Sequence, residues 1–297
     1  MTTTIESTLQ AELAAAEPPA LGLHTDLSNE AYHADKTSLS SSGARKLLKP
    51  SCPAKFRYEQ DNPPAPTKTF DYGNAAHKTV LGNGPKLVLV DHDAWTTKEA
   101  KAEVADARAQ GGIPLKRHEM QMVKDMADAI RRHPLAAALL DPAYGAPEQS
   151  GFWIDEPSGI RCRVRFDWLP SIHDGRLIIP DYKTAADASD DAMQKDIAKY
   201  GYNQQADWYE TGARALGLGD QTAELLLIAQ EKKPPYLVNV IGIEFGSRVI
   251  AGAKNRRAIE IFAECQSTGY WPGYADHEPN YLALPGWAEN RDKEIYL

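Results

Sequence analysis

The chain has 297 residues, enough for one large domain or two small ones around a substantial core. Its 42% hydrophobic and 25% charged residues form an ordinary globular balance, and no apolar run reaches bilayer-crossing length. The net charge of −8 counts against tight duplex binding by the body as a whole, although a local basic groove can operate on an acidic body. The opening Met1-Thr2-Thr3-Thr4-Ile5-Glu6 lacks the basic region and apolar stretch of a secretory signal. The three scattered cysteines, Cys52, Cys162 and Cys265, read as reduced thiols rather than a disulfide framework. A cytoplasmic protein without membrane segments is expected.

Residues 1–22, rich in Ala, Glu, Thr and Pro, read as a tail. Ser40-Ser41-Ser42-Gly43 offers N-caps for a helix over 44–48, ended by Pro50 and Pro53. Residues 61–66 read as a loop, 70–80 as helical after Gly73, and 87–90 as a brief strand. The stretch 98–140 is helical apart from Gly111-Gly112-Ile113-Pro114, with a clear helix over 115–133 that stops at His133-Pro134. Three strands follow, at 152–154, 160–169 and 177–183, joined by Pro157-Ser158-Gly159 and His173-Asp174-Gly175 turns. The pattern then predicts one long helix over 192–216, strands at 224–229 and 237–244, a helix over 247–267, and an aromatic, Pro-rich tail. Consecutive strands followed by a helical crossover indicate an α/β fold with a mixed central β-sheet flanked by helices. A single domain over 23–297 is expected: a helical elaboration at about 23–145, a core at about 146–270 and an aromatic segment over 271–297.

The chemically informative stretches are Arg161-Cys162-Arg163-Val164-Arg165-Phe166-Asp167 and Ile178-Ile179-Pro180-Asp181-Tyr182-Lys183-Thr184. Side chains alternate along a strand, so Arg161, Arg163, Arg165 and Asp167 share one side, as do Asp181 and Lys183, with Tyr182 opposite. If the two strands are hairpin neighbours, both acids and the lysine converge at the strand ends. Two carboxylates with few other charged ligands suit Mg²⁺, a hard ion that prefers oxygen and retains water. A metal there can polarise a phosphodiester oxygen and acidify an attacking water, and Lys183 can orient that water or face charge on the phosphate. Pro180 has no N–H to give a neighbouring strand, so either that position faces outward or the strand carries a bulge. Arg161, Arg163 and Arg165 are either a phosphate-tracking row or a solvated sheet face. Ser40 to Ser42 with Arg45, Lys46, Lys49, Lys55 and Arg57 form a second basic cluster, where a helix start beside Arg could hold a terminal 5′-phosphate.

Asp167 followed by Asp181-x-Lys183 resembles the D…(D/E)xK signature of the PD-(D/E)XK nuclease superfamily. Four further stretches are similar, in order, to its RecE-like phage and prophage exonucleases. Gly73-Asn74-Ala75-Ala76-His77 resembles their G-x-A-x-H box, and Glu148-Gln149-Ser150 the E-x-S segment opening the first core strand. Gln205-Ala206-Asp207-Trp208-Tyr209 matches the Q-x-x-x-Y element after the lysine, and Trp271-Pro272-Gly273-Tyr274 with Leu284-Pro285-Gly286-Trp287 resembles the C-terminal aromatic segment. The resemblance implies a Mg²⁺ enzyme, with Mn²⁺ able to substitute. Asp167, Asp181 and Glu148 would bind the ion, the Tyr182 carbonyl would complete the shell, His77 would stand at the metal or the scissile phosphate, and Lys183 would position the nucleophile. Gln205 and Tyr209 would belong to the same centre. It further implies 5′-to-3′ digestion of double-stranded DNA ends, 3′ overhangs for a RecT-like annealing partner, and a ring-shaped homo-oligomer. A restriction-type endonuclease and a non-catalytic DNA-binding module are the alternatives. Nucleases carrying an iron–sulfur cluster on four cysteines are excluded, because the chain has three.

Overall fold

The computed structural model describes residues 17–62, 68–171 and 175–297, the side chains of 68–71 apart. Most of the expected N-terminal tail, the centre of the 61–66 loop and His173-Asp174 of the expected turn lie outside these residues.

The N-terminal part runs β1 (Gly22–His24), α1 (Asn29–Ala34), β2 (Leu39–Ser40), α2 (Ser41–Leu47), α3 (Pro53–Asp61), α4 (Lys68–Leu81), β3 (Leu87–Leu89), α5 (Lys98–Ala109), β4 (Ile113–Leu115), α6 (Arg117–Arg132) and α7 (Pro134–Leu139). Local chemistry accounts for several boundaries. Ser28, Ser40 and Thr97 accept backbone N–H bonds at the starts of α1, α2 and α5, satisfying donors a helix start leaves open. Pro53 opens α3, where its missing N–H costs nothing. In α6, Val123, Met126, Ala127 and Ile130 are buried at the i, i+3, i+4, i+7 spacing of one helix face.

The remainder runs β5 (Gly145–Asp155), β6 (Ile160–Pro170), β7 (Ile178–Ala185), α8 (Asp190–Tyr200), α9 (Tyr202–Ala215), β8 (Glu224–Glu231), β9 (Val238–Gly242), α10 (Phe245–Thr268) and α11 (Gly286–Tyr296). The mixed α/β architecture is the expected one, but the strands divide among sheets. One sheet has the order β1-β5-β6-β2 and another β7-β8-β9, with β3-β4 forming a small parallel pair. Both larger sheets mix parallel and antiparallel pairings.

The expected hairpin pairing of β6 with β7 is therefore corrected. The strands run side by side, yet neither is the other's partner in a ladder. β2 takes up part of that edge of β6, at Cys162 and Arg163. Further along, a side chain bridges the gap: the Tyr182 amide donates to Asp167 Oδ2 at 3.1 Å. The same geometry resolves Pro180. Backbone donors alternate edges along a strand, so Pro180 shares its N–H direction with Tyr182, away from β8, and no ladder bond is lost.

Side chains of β7 and β8 feed two cores. Ile179, Leu225 and Leu227 join Val164, Phe166, Trp208 and Phe262 in one cluster. Tyr182 and Ile228 point the other way, into a cluster with Ala75, Ala76, Val123 and Met126 of the helical elaboration. Period-two alternation thus sends Tyr182 to one core and Asp181 and Lys183 towards α8 and α9.

The helix expected over 192–216 is two helices. Gly201 ends α8 at φ 67°, ψ 40°, a left-handed conformation favourable only to glycine. A β-carbon there would stand 2.6 Å from Arg45 Cδ. Gly201→Ala is expected to lose about 1–2 kcal/mol for the backbone alone, plus the cost of displacing Arg45. A denaturation midpoint unchanged from wild type would show that the helices can fuse without penalty.

The aromatic tail also contains a helix, α11, that the Pro-rich composition concealed. Trp271 stacks on Phe56 with ring centroids 5.6 Å apart and meets Phe262 at 5.8 Å, which makes it a packing anchor. Among the described residues no helix is long and apolar enough to cross a membrane.

Candidate active site at the β6–β7 seam

Asp181 and Lys183 leave β7 on the same side, as alternation requires. Asp181 is fully buried. Its Oδ1 accepts a 2.8 Å hydrogen bond from Gln205 Nε2 on α9. Its Oδ2 forms an ion pair with Lys183 but receives no well-directed hydrogen bond. Burial outweighs the pull of Lys183 and pushes the Asp181 carboxyl up to about 6, with Asp167 adding to the rise. Burial disfavours the Lys183 charge, but the Asp181 and Asp167 carboxylates outweigh it and raise that amine further. The pair consequently stays ionised near neutrality.

Asp167 sits across the seam on β6. Beyond accepting from the Tyr182 amide, its Oδ2 lies 3.9 Å from His77 Nδ1. His77 comes from α4 and packs edge-on against Tyr182, centroids 5.0 Å apart. Tyr182 is fixed in turn by its hydroxyl, which donates to Gln230 Oε1 at 2.6 Å. In an extended strand a residue's N–H and C=O point to the same edge, so the Tyr182 carbonyl faces the Asp167 side as well.

Glu148 occupies the β5 position opposite Asp167, between the Pro147–Trp168 and Gln149–Phe166 pairs. Its φ of 57° is unusual for a residue with a side chain and marks local backbone strain at this point of the strand. Burial and the neighbouring Asp167 charge both raise the Glu148 carboxyl, with Arg165 3.7 Å away opposing them. Acids facing each other across a ladder repel unless a cation lies between them. Among the described residues, however, no group of three His, Cys, Asp or Glu side chains is placed to hold a metal ion.

Gln205 and Tyr209 share a face of α9, and both reach the site. Tyr209 packs edge-on against Phe166 at 5.6 Å, and burial with the Asp181 and Asp167 charges holds its hydroxyl well above the usual range. Arg45 is also drawn in. Its guanidinium donates to Ser41 Oγ at 3.2 Å, and its nearest charged or phenolic neighbours are Tyr209, Asp181 and Tyr202.

The β6 arginines do not form a solvated row, because most of their hydrogen bonds run to the N-terminal segment. Arg163 is buried and donates to the Tyr32 carbonyl at 2.7 Å and to that of Asp35. Arg165 donates to Ser150 Oγ and the Leu27 carbonyl, both at 2.8 Å. Arg161 donates to the Pro19 carbonyl and lies 3.5 Å from Asp35. Tyr202 is the residue the sequence reading passed over. It lies over Lys183, Nζ 5.5 Å from the ring centroid, and the one available signal was the glycine inside an otherwise helical pattern.

The profile of the PDDEXK-like domain of unknown function (DUF3799) matches residues 40–282, most of the chain and all of this site. The chain belongs to this PDDEXK-like family. That membership supports a nuclease. The fold is similar to that of a candidate exonuclease from Eubacterium rectale, with a TM-score of 0.57 at 13% identity over 90% of this chain and 94% of that one. No curated protein matches the sequence.

Proposed function

We propose that the chain is a metal-dependent deoxyribonuclease of the RecE-like type, hydrolysing phosphodiester bonds from the ends of linear double-stranded DNA. The observation that carries this reading is the Asp181 carboxylate, wholly buried and ion-paired with Lys183, with the Asp167 charge near enough to raise it. Buried acids gathered beside an amine are costly to desolvate, and a functional centre is where such a cost is kept. Asp181, Asp167 and Glu148 with the Tyr182 carbonyl would hold Mg²⁺, or Mn²⁺ in its place, an all-oxygen set that fits a hard ion. Once bound, such an ion supplies Lewis-acid stabilisation and a more acidic water.

The protein's own groups do the rest. Gln205 holds Asp181 in one orientation. The Lys183 ammonium keeps its protons and donates hydrogen bonds that orient the attacking water or face charge building on the phosphate. His77 stands beside Asp167 to hold a phosphate oxygen or the water, and Arg45 faces the site as a phosphate contact. Digestion from 5′ to 3′, a RecT-like annealing partner and a ring-shaped homo-oligomer complete the proposal, on the strength of the RecE-like resemblance. Tyr281, Leu282 and Trp287, exposed on the C-terminal segment, offer apolar surface for assembly.

The purified protein is expected to degrade linear duplex DNA with Mg²⁺, to leave closed circular DNA intact, and to stop in EDTA. Gel assays of the two substrates check this. Cutting of the circle would favour a restriction-type endonuclease, and loss of neither substrate would favour a non-catalytic DNA-binding module.

A further inference from the structure

Two tyrosines stand at the mouth of the carboxylate–lysine site. Tyr202 opens α9 and covers the Lys183 amine. Tyr200 closes α8 and stands beside it, the ring centroids 5.6 Å apart and the planes inclined by 32°. On an unbroken helix residues two apart point to nearly opposite sides and do not meet. The left-handed turn at Gly201 is what brings these rings together. Core burial does not explain the arrangement, since Tyr200 remains 47% exposed.

Cations surround the pair. Lys199 Nζ lies 4.9 Å from the Tyr200 centroid, Lys183 lies by Tyr202, and the Arg45 stem packs against Gly201. Among the described residues neither Lys199 nor Arg45 is ion-paired to a carboxylate, so both charges remain available. An accessible aromatic ring flanked by cations is the combination that holds an unpaired nucleotide, with the base on the ring and its phosphates against the charges.

We propose that Tyr200 and Tyr202 form a base-stacking subsite for the nucleobase next to the scissile phosphate. Tyr200 supplies the exposed ring, while Tyr202 is a positioning residue that supports it and keeps the Lys183 amine in place. The strand entering the site is therefore unpaired at that nucleotide. This inference rests on the nuclease reading above.

The test places an abasic nucleotide on each side in turn of the first cleaved bond. Wild type is expected to prefer the base-bearing substrate by about tenfold in kcat/KM at one of the two positions. Tyr200→Leu should bring that ratio to about one, whereas Tyr200→Phe should retain it. A ratio near one in wild type, or one undiminished in folded Tyr200→Leu, overturns the subsite. If wild type cleaves no DNA, the nuclease reading fails separately, and stacking is still read in EDTA from a single strand carrying 2-aminopurine. Quenching by wild type that is lost in Tyr200→Leu supports the subsite, and its absence in wild type refutes it.

Discussion

Asp181→Asn is expected to lower the rate of DNA hydrolysis at least about a thousandfold while leaving the protein no less stable in EDTA at pH 8. The two halves of that result have one cause. Burial raises the Asp181 carboxyl to about 6 from 3.8, so the folded state holds a proton that the unfolded state has released across this interval. Stability contributed by this group is thus undiminished below about 4 and falls as pH rises towards 6. Asparagine keeps an oxygen for the Gln205 hydrogen bond and carries no charge to desolvate, so the variant should lack that fall. Lys183→Met should be equally inactive but behave in the opposite sense. It strands a buried carboxylate and should cost about 3 kcal/mol or more at pH 8, with part of the loss recovered at pH 5 as Asp181 takes up a proton. Urea titrations of both variants at the two pH values check the pattern. Equal destabilisation of both, independent of pH, would contradict it.

Arg163→Met is expected to act on stability rather than on DNA affinity. The substitution removes charged hydrogen bonds to the Tyr32 and Asp35 carbonyls and the guanidinium placed 4.8 Å from the Tyr32 ring centroid. Hydrogen bonds of this kind contribute about 1.5–3 kcal/mol each, so a loss of about 3 kcal/mol, or roughly 5 °C in Tm, is expected. The salt dependence of DNA binding should keep its slope. A preserved Tm with the slope reduced by about one would restore the phosphate-tracking role that the residue pattern suggested.

The contrast between Asp167 and its arginine neighbours shows what a single chain discloses. Alternation along β6 and β7 was readable because a strand's period is fixed by covalent geometry, and it assigned Asp181, Lys183 and Tyr182 to their sides. The helix start at Ser40 was readable because capping is local, whereas Pro53, read only as a stop, also opens α3. Most partners of Arg161, Arg163 and Arg165 were not, because they lie more than a hundred residues earlier, in Pro19 to Asp35. The absence of a ladder between β6 and β7 was hidden for the same reason, as it depends on β2 occupying part of the edge. Gly201 was visible in the sequence, but a lone glycine in a helical pattern is as often tolerated as used, and only its contact with Arg45 shows which applies. Glu148 and Asp167 were read as acids of one centre, yet their facing positions follow from the β5–β6 register.

The divided sheet has a mechanical consequence. Asp167 and Glu148 ride on one slab, Asp181 and Lys183 on another, and across the joint the Asp167 carboxylate grips the Tyr182 amide directly. The width of the jaw so formed can change without tearing a row of backbone bonds. Each side can likewise be rewritten, one short side chain at a time, without shifting the other out of step.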